Sequence, residues 1–230
     1  MAANLMNTFK QIVKKSSLYQ PLNLLRTDLR RWHRIRQWQR RGCPIPPPAE
    51  VKHATINEYR KRFRLDVLIE TGTYFGDTIA ATKNYFGDVY SIELSPRLHQ
   101  GAKARFGCDP NVHLLLGDSG TVLKEILPTI FRIPLFWLDA HYSDSSTARG
   151  AVDTPIVQEL EIIFASCQQY VVLIDDARCF DGHNGYPTLA ELEKYTAAKA
   201  LGSVFEVKDD IIRLHGKPHC RDCTAHSTAR

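Results

Sequence analysis

The 230-residue sequence has no apolar run near the ~18 residues that a membrane-crossing helix requires, which argues against a helix-anchored membrane protein. Its first residues lack the compact apolar segment of a secretory signal. They are basic and acid-poor, the pattern of a basic helix and, weakly, of a transit peptide. Cysteine is sparse. The six residues, at positions 43, 108, 167, 179, 220 and 223, are too scattered for a stapled secreted scaffold and are expected to be reduced thiols of a cytoplasmic protein. There is no internal repeat and no low-complexity segment besides one proline run. What is present is ordinary for one globular domain with an appendage, at 43% hydrophobic and 24% charged.

Charge is unevenly spread. Residues 1–64 hold 15 Lys+Arg against 3 Asp+Glu, and residues 65–230 hold 15 against 22, so the net +5 describes neither part. Leu22, Leu25, Leu29, Trp32 and Ile35 recur at helical spacing, with Arg26, Arg30, Arg31 and Arg34 largely between them, and predict an amphipathic helix over 18–41. "CPIPPPAE" (Cys43–Glu50) predicts a linker, because proline removes donors and stiffens the chain. A short helix is predicted over Thr55–Phe63. The division expected is a basic helical N-terminal arm with its linker (1–64), a folded domain (65–217) and a flexible tail (218–230).

From residue 66 strands and helices alternate. Strands are predicted at Val67–Glu70, Val89–Leu94, Val112–Leu116, Leu135–Leu138 and Tyr170–Ile174. Helices are predicted at Asp77–Phe86, Pro96–Phe106, Ser119–Phe131, Thr154–Cys167 and Pro187–Ala200. Thr154-Pro155 reads as a cap followed by proline in the first turn. "SVFEVKDDIIRLHG" (Ser203–Gly216) reads as a hairpin turning at Lys208–Asp210. The pattern predicts an α/β fold: a doubly wound, Rossmann-like, seven-stranded sheet, mostly parallel, ending in an antiparallel hairpin.

Ligands of such sheets bind beyond the carboxyl ends of the strands. Each of the five leading strands ends in an acid: Glu70, Glu93, Asp118, Asp139, and the pair Asp175-Asp176. A dinucleotide fingerprint needs G-x-G-x-x-G facing a pyrophosphate, but Glu70 occupies the first glycine position. Near a pyrophosphate its carboxylate would be repulsive by several kcal/mol at an effective dielectric of about 20. A cationic ligand fits better, and Gly72 and Gly76 still allow close backbone approach. Glu93 stands where an acid accepts from ribose hydroxyls, and Asp118 could accept from an adenine amino group. Any one of these acids could equally be a helix cap.

"IETGTYFG", "SIELSP" and "GDS" resemble the cofactor segments of class I S-adenosylmethionine-dependent methyltransferases, over about Asp66 to Gly216. The resemblance implies S-adenosylmethionine bound by Glu70, Thr71, Gly72, Thr73, Gly76, Thr78, Glu93, Leu94, Asp118, Ser119 and Asp139. One departure is that Thr73, Tyr74 and Phe75 separate the two glycines, where many members have a third. "LDAH" and "LIDDA" are similar to the metal-dependent O-methyltransferases of the catechol and macrolide-sugar types. That similarity implies Mg²⁺ or Mn²⁺ on Asp139, Asp175 and Asp176, and catalysis by Asp139 with His141 as base, a solvent-exposed loop histidine being the plainer reading of His141. Arg178 and the 143–153 loop could form an acceptor wall, with Tyr142 a further candidate substrate residue. Converging carboxylates do call for a cation, and oxygen ligands suit a hard one; capping of loop turns by Asp175 and Asp176 is the plainer alternative.

The expected acceptor is a small hydroxylated molecule, by resemblance a saccharide of a polysaccharide or glycosylated natural product. The basic arm could pack on the body or on a second subunit as a homodimer, lie on an anionic membrane, or touch nucleic acid. The acidic body disfavours nucleic acid. An RNA methyltransferase guided by the arm, a non-catalytic binding subunit and a metal-using glycosyltransferase are the alternatives; Glu70 opposes the last. His215, His219, Cys220, Cys223 and His226 could hold zinc, although a mobile tail is the plainer reading.

Overall fold

A computed structural model describes residues 19–139 and 155–216, with side chains from residue 29 onward. Among them, no helix is long and apolar enough to cross a membrane. Contacts divide the chain into two units, with the break between Val51 and Lys52.

In the first unit, helix α1 spans Tyr19–Arg40. Leu29 and Trp32 on it are exposed, and the Arg36 guanidinium stacks 4.2 Å above the Trp32 ring. Trp38 is buried and its indole N–H donates to the Pro44 carbonyl at 2.8 Å. Helix α2 (Ala49–Phe63) begins in this unit and continues into the second, starting six residues earlier than the sequence pattern predicts. Prolines are tolerated where a helix begins, and here the Pro48 carbonyl accepts from the Val51 N–H at 2.9 Å.

In the second unit the strands are β1 (Val67–Thr71), β2 (Asp88–Glu93), β3 (Val112–Leu116), β4 (Pro134–Leu138), β5 (Val171–Ile174), β6 (Val204–Lys208) and β7 (Ile211–His215). They form one seven-stranded sheet ordered β3-β2-β1-β4-β5-β7-β6. The first five are parallel; β7 pairs antiparallel with both β5 and β6. The hairpin turn carries Asp209 and Asp210, both with positive φ (53° and 60°), the backbone of a tight two-residue turn.

Between the strands lie α3 (Asp77–Thr82), α4 (Pro96–Phe106), α5 (Ser119–Ile126), α6 (Ile156–Ser166) and α7 (Leu189–Lys199). Period-two alternation along the buried strands sends side chains to two cores. Val67, Ile69, Phe136, Leu138, Val172 and Ile174 pack with Leu123 of α5, Leu160 and Ile163 of α6 and Leu192 of α7. Leu68, Leu135, Trp137 and Leu173 pack with Ile56 and Tyr59 of α2, Ile79 of α3 and Phe106 of α4. Helices thus cover both faces, as the alternation predicts.

Several helix ends differ from expectation. The helix predicted over Asp77–Phe86 stops at Thr82, and beyond it the Asn111 side chain donates to the carbonyls of Lys83 (2.8 Å) and Phe86 (3.1 Å). The helix from Ser119 stops at Ile126 and tightens into a 3₁₀ turn, Leu127–Thr129, because Pro128 has no N–H to continue it. Helix α6 starts at Ile156 with Pro155 as its cap residue, so proline precedes the first turn; Thr154 lies outside the described residues. Helix α7 starts at Leu189, after Thr188, which exchanges hydrogen bonds with Glu191 in a capping box.

Candidate functional site

Register brings the acids to one rim. Glu70 stands beside Ser91 and Trp137, and Leu138 stands beside Thr71 and Ile174. One step further, the Asp139 N–H donates to the Thr71 carbonyl and the Asp175 N–H donates to the Leu138 carbonyl, both at 3.0 Å. Asp139 and Asp175 are therefore neighbours at the ends of adjacent strands.

The turn after β1 is clamped from several sides. Glu93 is buried, and its two oxygens accept from the N–H of Tyr74 and the N–H of Ser95, each at 2.8 Å. The Gly76 N–H donates to the Thr73 carbonyl at 2.7 Å, and Arg105 donates to the Phe75 carbonyl at 2.5 Å. Gly72 and Gly76 have φ of 87° and 75°, and a β-carbon on Gly76 would lie 2.5 Å from the Phe106 ring. Glycine is required at position 76 both by its backbone and by its neighbour. Tyr74 and Phe75 at the crest are exposed. A carboxylate can accept about four hydrogen bonds, so Glu93 retains capacity for a ligand hydroxyl while it fixes the loop.

Glu70 is not an open carboxylate at the rim. It is 1% exposed, and Ser91 donates to its Oε2 at 2.5 Å. The Ser91 oxygen lies 2.7 Å from the Thr73 hydroxyl, which becomes the donor once the Ser91 proton is committed to Glu70. Burial pushes the Glu70 carboxyl up to about 8, against the Ser91 and Thr78 hydroxyls that favour its charged form. Burial thus works against the charged state that the sequence suggests for Glu70. Leu94 follows in the turn after β2, half-buried.

Asp118 caps α5, accepting from the Thr121 N–H at 3.2 Å, with Ser119 as the first helical residue. The plainer reading of Asp118 is thus realised, and its remaining acceptor sites stay available. Behind this edge lies Glu159 of α6, fully buried. Neither of its oxygens makes a hydrogen bond of ordinary length, and the same holds for the Thr71 hydroxyl. Burial pushes Glu159 up to about 7; the hydroxyls of Ser119 and Thr71 are near enough to oppose this only in part.

Asp139, Asp175 and Asp176 bring one oxygen each to within 4.8 Å of one another, the one such group of metal-type ligands among the described residues. Asp176 has φ 55°, and its N–H donates to Asp175 Oδ1 at 2.8 Å. A cation already faces the group. Lys52 Nζ, from α2, lies 2.5 Å from Asp175 Oδ2 and 3.2 Å from Asp176 Oδ1. Arg178 donates to Asp176 Oδ1 at 2.8 Å and also pairs with Asp210. A like-charge pair at ~4 Å costs about 4 kcal/mol at an effective dielectric of ~20, so these two cations offset repulsion that the carboxylates would otherwise suffer. Burial still raises Asp139 and Asp175, with repulsion from the neighbouring carboxylates adding to it for both. For Asp176, burial acts upward but the Lys52 and Arg178 charges outweigh it and hold the carboxyl down. Arg178 thereby ties the acid cluster to the β6–β7 turn, with its side chain partly exposed.

His141, Tyr142 and the 143–153 loop lie outside the described residues, as do His219, Cys220, Cys223 and His226. Sequence reasoning missed three participants. Ser91, the first residue of "SIELSP", reads as an ordinary interior strand residue; Glu159 reads as an ordinary acid in an amphipathic helix; Lys52 reads as one more charge of the basic arm.

No family model and no curated protein matches the sequence. Solved structures do match in fold. A candidate caffeoyl-CoA O-methyltransferase from Staphylococcus aureus superposes with TM-score 0.54 at 15% identity, covering 93% of this chain and 98% of its own. An O-methyltransferase from Bacillus cereus in complex with S-adenosylhomocysteine gives 0.52 at 13%, covering 80% and 90%. The O-methyltransferase TomG from Streptomyces achromogenes, involved in tomaymycin synthesis and in complex with S-adenosylmethionine, gives 0.50 at 16%, covering 75% and 83%. The chain has a methyltransferase fold. The rim that carries Glu70, Glu93, Asp118 and Asp139 is the carboxyl edge of this fold's sheet.

Proposed function

We propose that this chain is an S-adenosylmethionine-dependent O-methyltransferase acting on a hydroxyl of a small molecule, a saccharide by preference. The observation that carries the reading is the meeting, on one rim, of a glycine loop anchored by Glu93 with the Asp139–Asp175–Asp176 group. The residues fit the cofactor: Gly72 and Gly76 keep the main chain open, Glu93 and Asp118 retain acceptor capacity, and Glu70 sits beneath with a proton it can release to balance a cationic head. S-adenosylmethionine supplies the methyl group and its sulfonium leaving group. The chain's own contribution is to hold the cofactor end of the site rigid, through Tyr74 N–H, Arg105 and the Thr73–Ser91–Glu70 chain. Positioning of two reactants is worth roughly 7–11 kcal/mol in well-oriented cases.

The acid group fits a hard divalent ion by its donor chemistry, three carboxylates close together in a place that already holds a cation. Asp139, Asp175 and Asp176 would hold Mg²⁺ or Mn²⁺, which would make a nearby acceptor hydroxyl more acidic. His141, two residues beyond Asp139, is assigned as the base that takes the hydroxyl proton. A screen of saccharide and phenolic acceptors with labelled methyl donor, with and without chelator, tests the reading. Methyl transfer to a hydroxyl that chelator abolishes supports it; transfer to RNA alone, or to nothing beside tight binding of a nucleotide sugar, sinks it.

A further inference from the structure

The three carboxylates have an occupant from their own chain. Lys52 Nζ lies 2.5 Å from Asp175 Oδ2 and 3.2 Å from Asp176 Oδ1. Asp175 Oδ1 is committed to the Asp176 N–H, and Asp176 Oδ1 is shared with Arg178. Lys52 thus occupies Asp175 Oδ2, the oxygen of that buried carboxylate that the Asp176 N–H leaves open. A divalent ion drawing on Asp175 Oδ2 would compete with the ammonium there, because two cations on one carboxylate oxygen would stand within direct repulsive range.

The geometry also allows Lys52 to leave. Its side chain is 21% exposed, so it keeps a route to water, whereas the side chain of Asp175 is only 2% exposed. A four-carbon stem with rotatable donors can swing out without moving α2, whose Ile56 and Tyr59 are fixed in the core.

We propose that Lys52 and a divalent ion are mutually exclusive occupants of the Asp139–Asp175–Asp176 group, with Lys52 as a built-in competitor that sets how much free ion is needed to load it. This rests on the reading of that group as a metal site. When no ion is bound, Lys52 offsets part of the carboxylates' charge, with Arg178 beside it on Asp176. Loading the ion expels the ammonium to solvent.

The test is calorimetric titration of Mn²⁺ alone, at fixed pH, into the full chain as wild type, K52M and K52R. K52M should bind at least tenfold more tightly than wild type, and K52R no more tightly than wild type. Should K52M fold poorly, the wild type carries the same test: peptide mass spectrometry should show acylation of Lys52 by an amine-reactive ester rising as Mn²⁺ is added. Equal or weaker binding by K52M, or Lys52 acylation indifferent to Mn²⁺ that binds, overturns the competition while leaving the metal site standing. Absence of Mn²⁺ binding by both wild type and K52M overturns the metal site and the competition with it.

Discussion

Ser91 Oγ donates to Glu70 Oε2 at 2.5 Å across the β1–β2 pair, and both residues are buried. The contact also supports Thr73 in the loop above. Removing the hydroxyl leaves a buried acid short of a donor and frees the loop. Ser91→Ala should lower unfolding free energy by about 1–3 kcal/mol and weaken S-adenosylhomocysteine binding. Denaturant unfolding beside a binding titration checks both; an unchanged transition and affinity would show that the Thr73–Ser91–Glu70 chain is dispensable.

Glu159 predicts a pH signature. Its folded value of about 7 stands above the ordinary 4.5, so the folded state holds the proton more tightly than the unfolded chain. The associated stability is fully present below pH 4.5 and is lost as pH rises to about 7 and beyond. The loss for this group is on the order of 3 kcal/mol. Glu159→Gln should gain on wild type by that order between pH 4.5 and 8, measured by chemical denaturation at each pH. Parallel stability curves for the two proteins would contradict this.

Gly76 is constrained twice, by φ of 75° and by the Phe106 ring 2.5 Å from where a β-carbon would stand. Gly76→Ala should cost roughly 2–4 kcal/mol, with a matching fall in Tm. Gly101, which has open space at its β-carbon, is the control: Gly101→Ala should leave stability unchanged or improve it.

Asp175 separates the two halves of the rim. Asp175→Asn should abolish divalent-stimulated methyl transfer while sparing cofactor affinity, since the cofactor loop is anchored by Glu93 rather than by Asp175. Parallel activity and binding assays check this. Full activity in chelator-treated wild type would remove the metal from the mechanism.

Much of this fold was legible because the signals are local. Pro96–Phe106 was placed to the residue because Ser95 caps it and proline opens it, and the alternation of apolar runs with acids marked the strand ends. The passages that the local sequence does not predict depend on partners far along the chain. Asn111 donates to the Lys83 carbonyl, just past the helix end at Thr82, from almost thirty residues away, and Ile56 and Tyr59 belong to the domain core although their surroundings in sequence are basic. Pro128 was a local signal that the periodicity of its neighbours hid. At the site, the acids were visible because each ends a strand. Lys52 was not, because nothing near it in sequence says that α2 delivers its ammonium to β5. The state of Glu70 could not be read either, since burial rather than residue type sets it.

Calorimetric titration of the full chain with S-adenosylhomocysteine, beside NAD⁺ and a nucleotide sugar, addresses the nature of the rim most directly. Saturable binding of S-adenosylhomocysteine, lost in Glu93→Ala, with no heat from the two diphosphates, is the predicted result. Binding of either diphosphate with none of S-adenosylhomocysteine would contradict it.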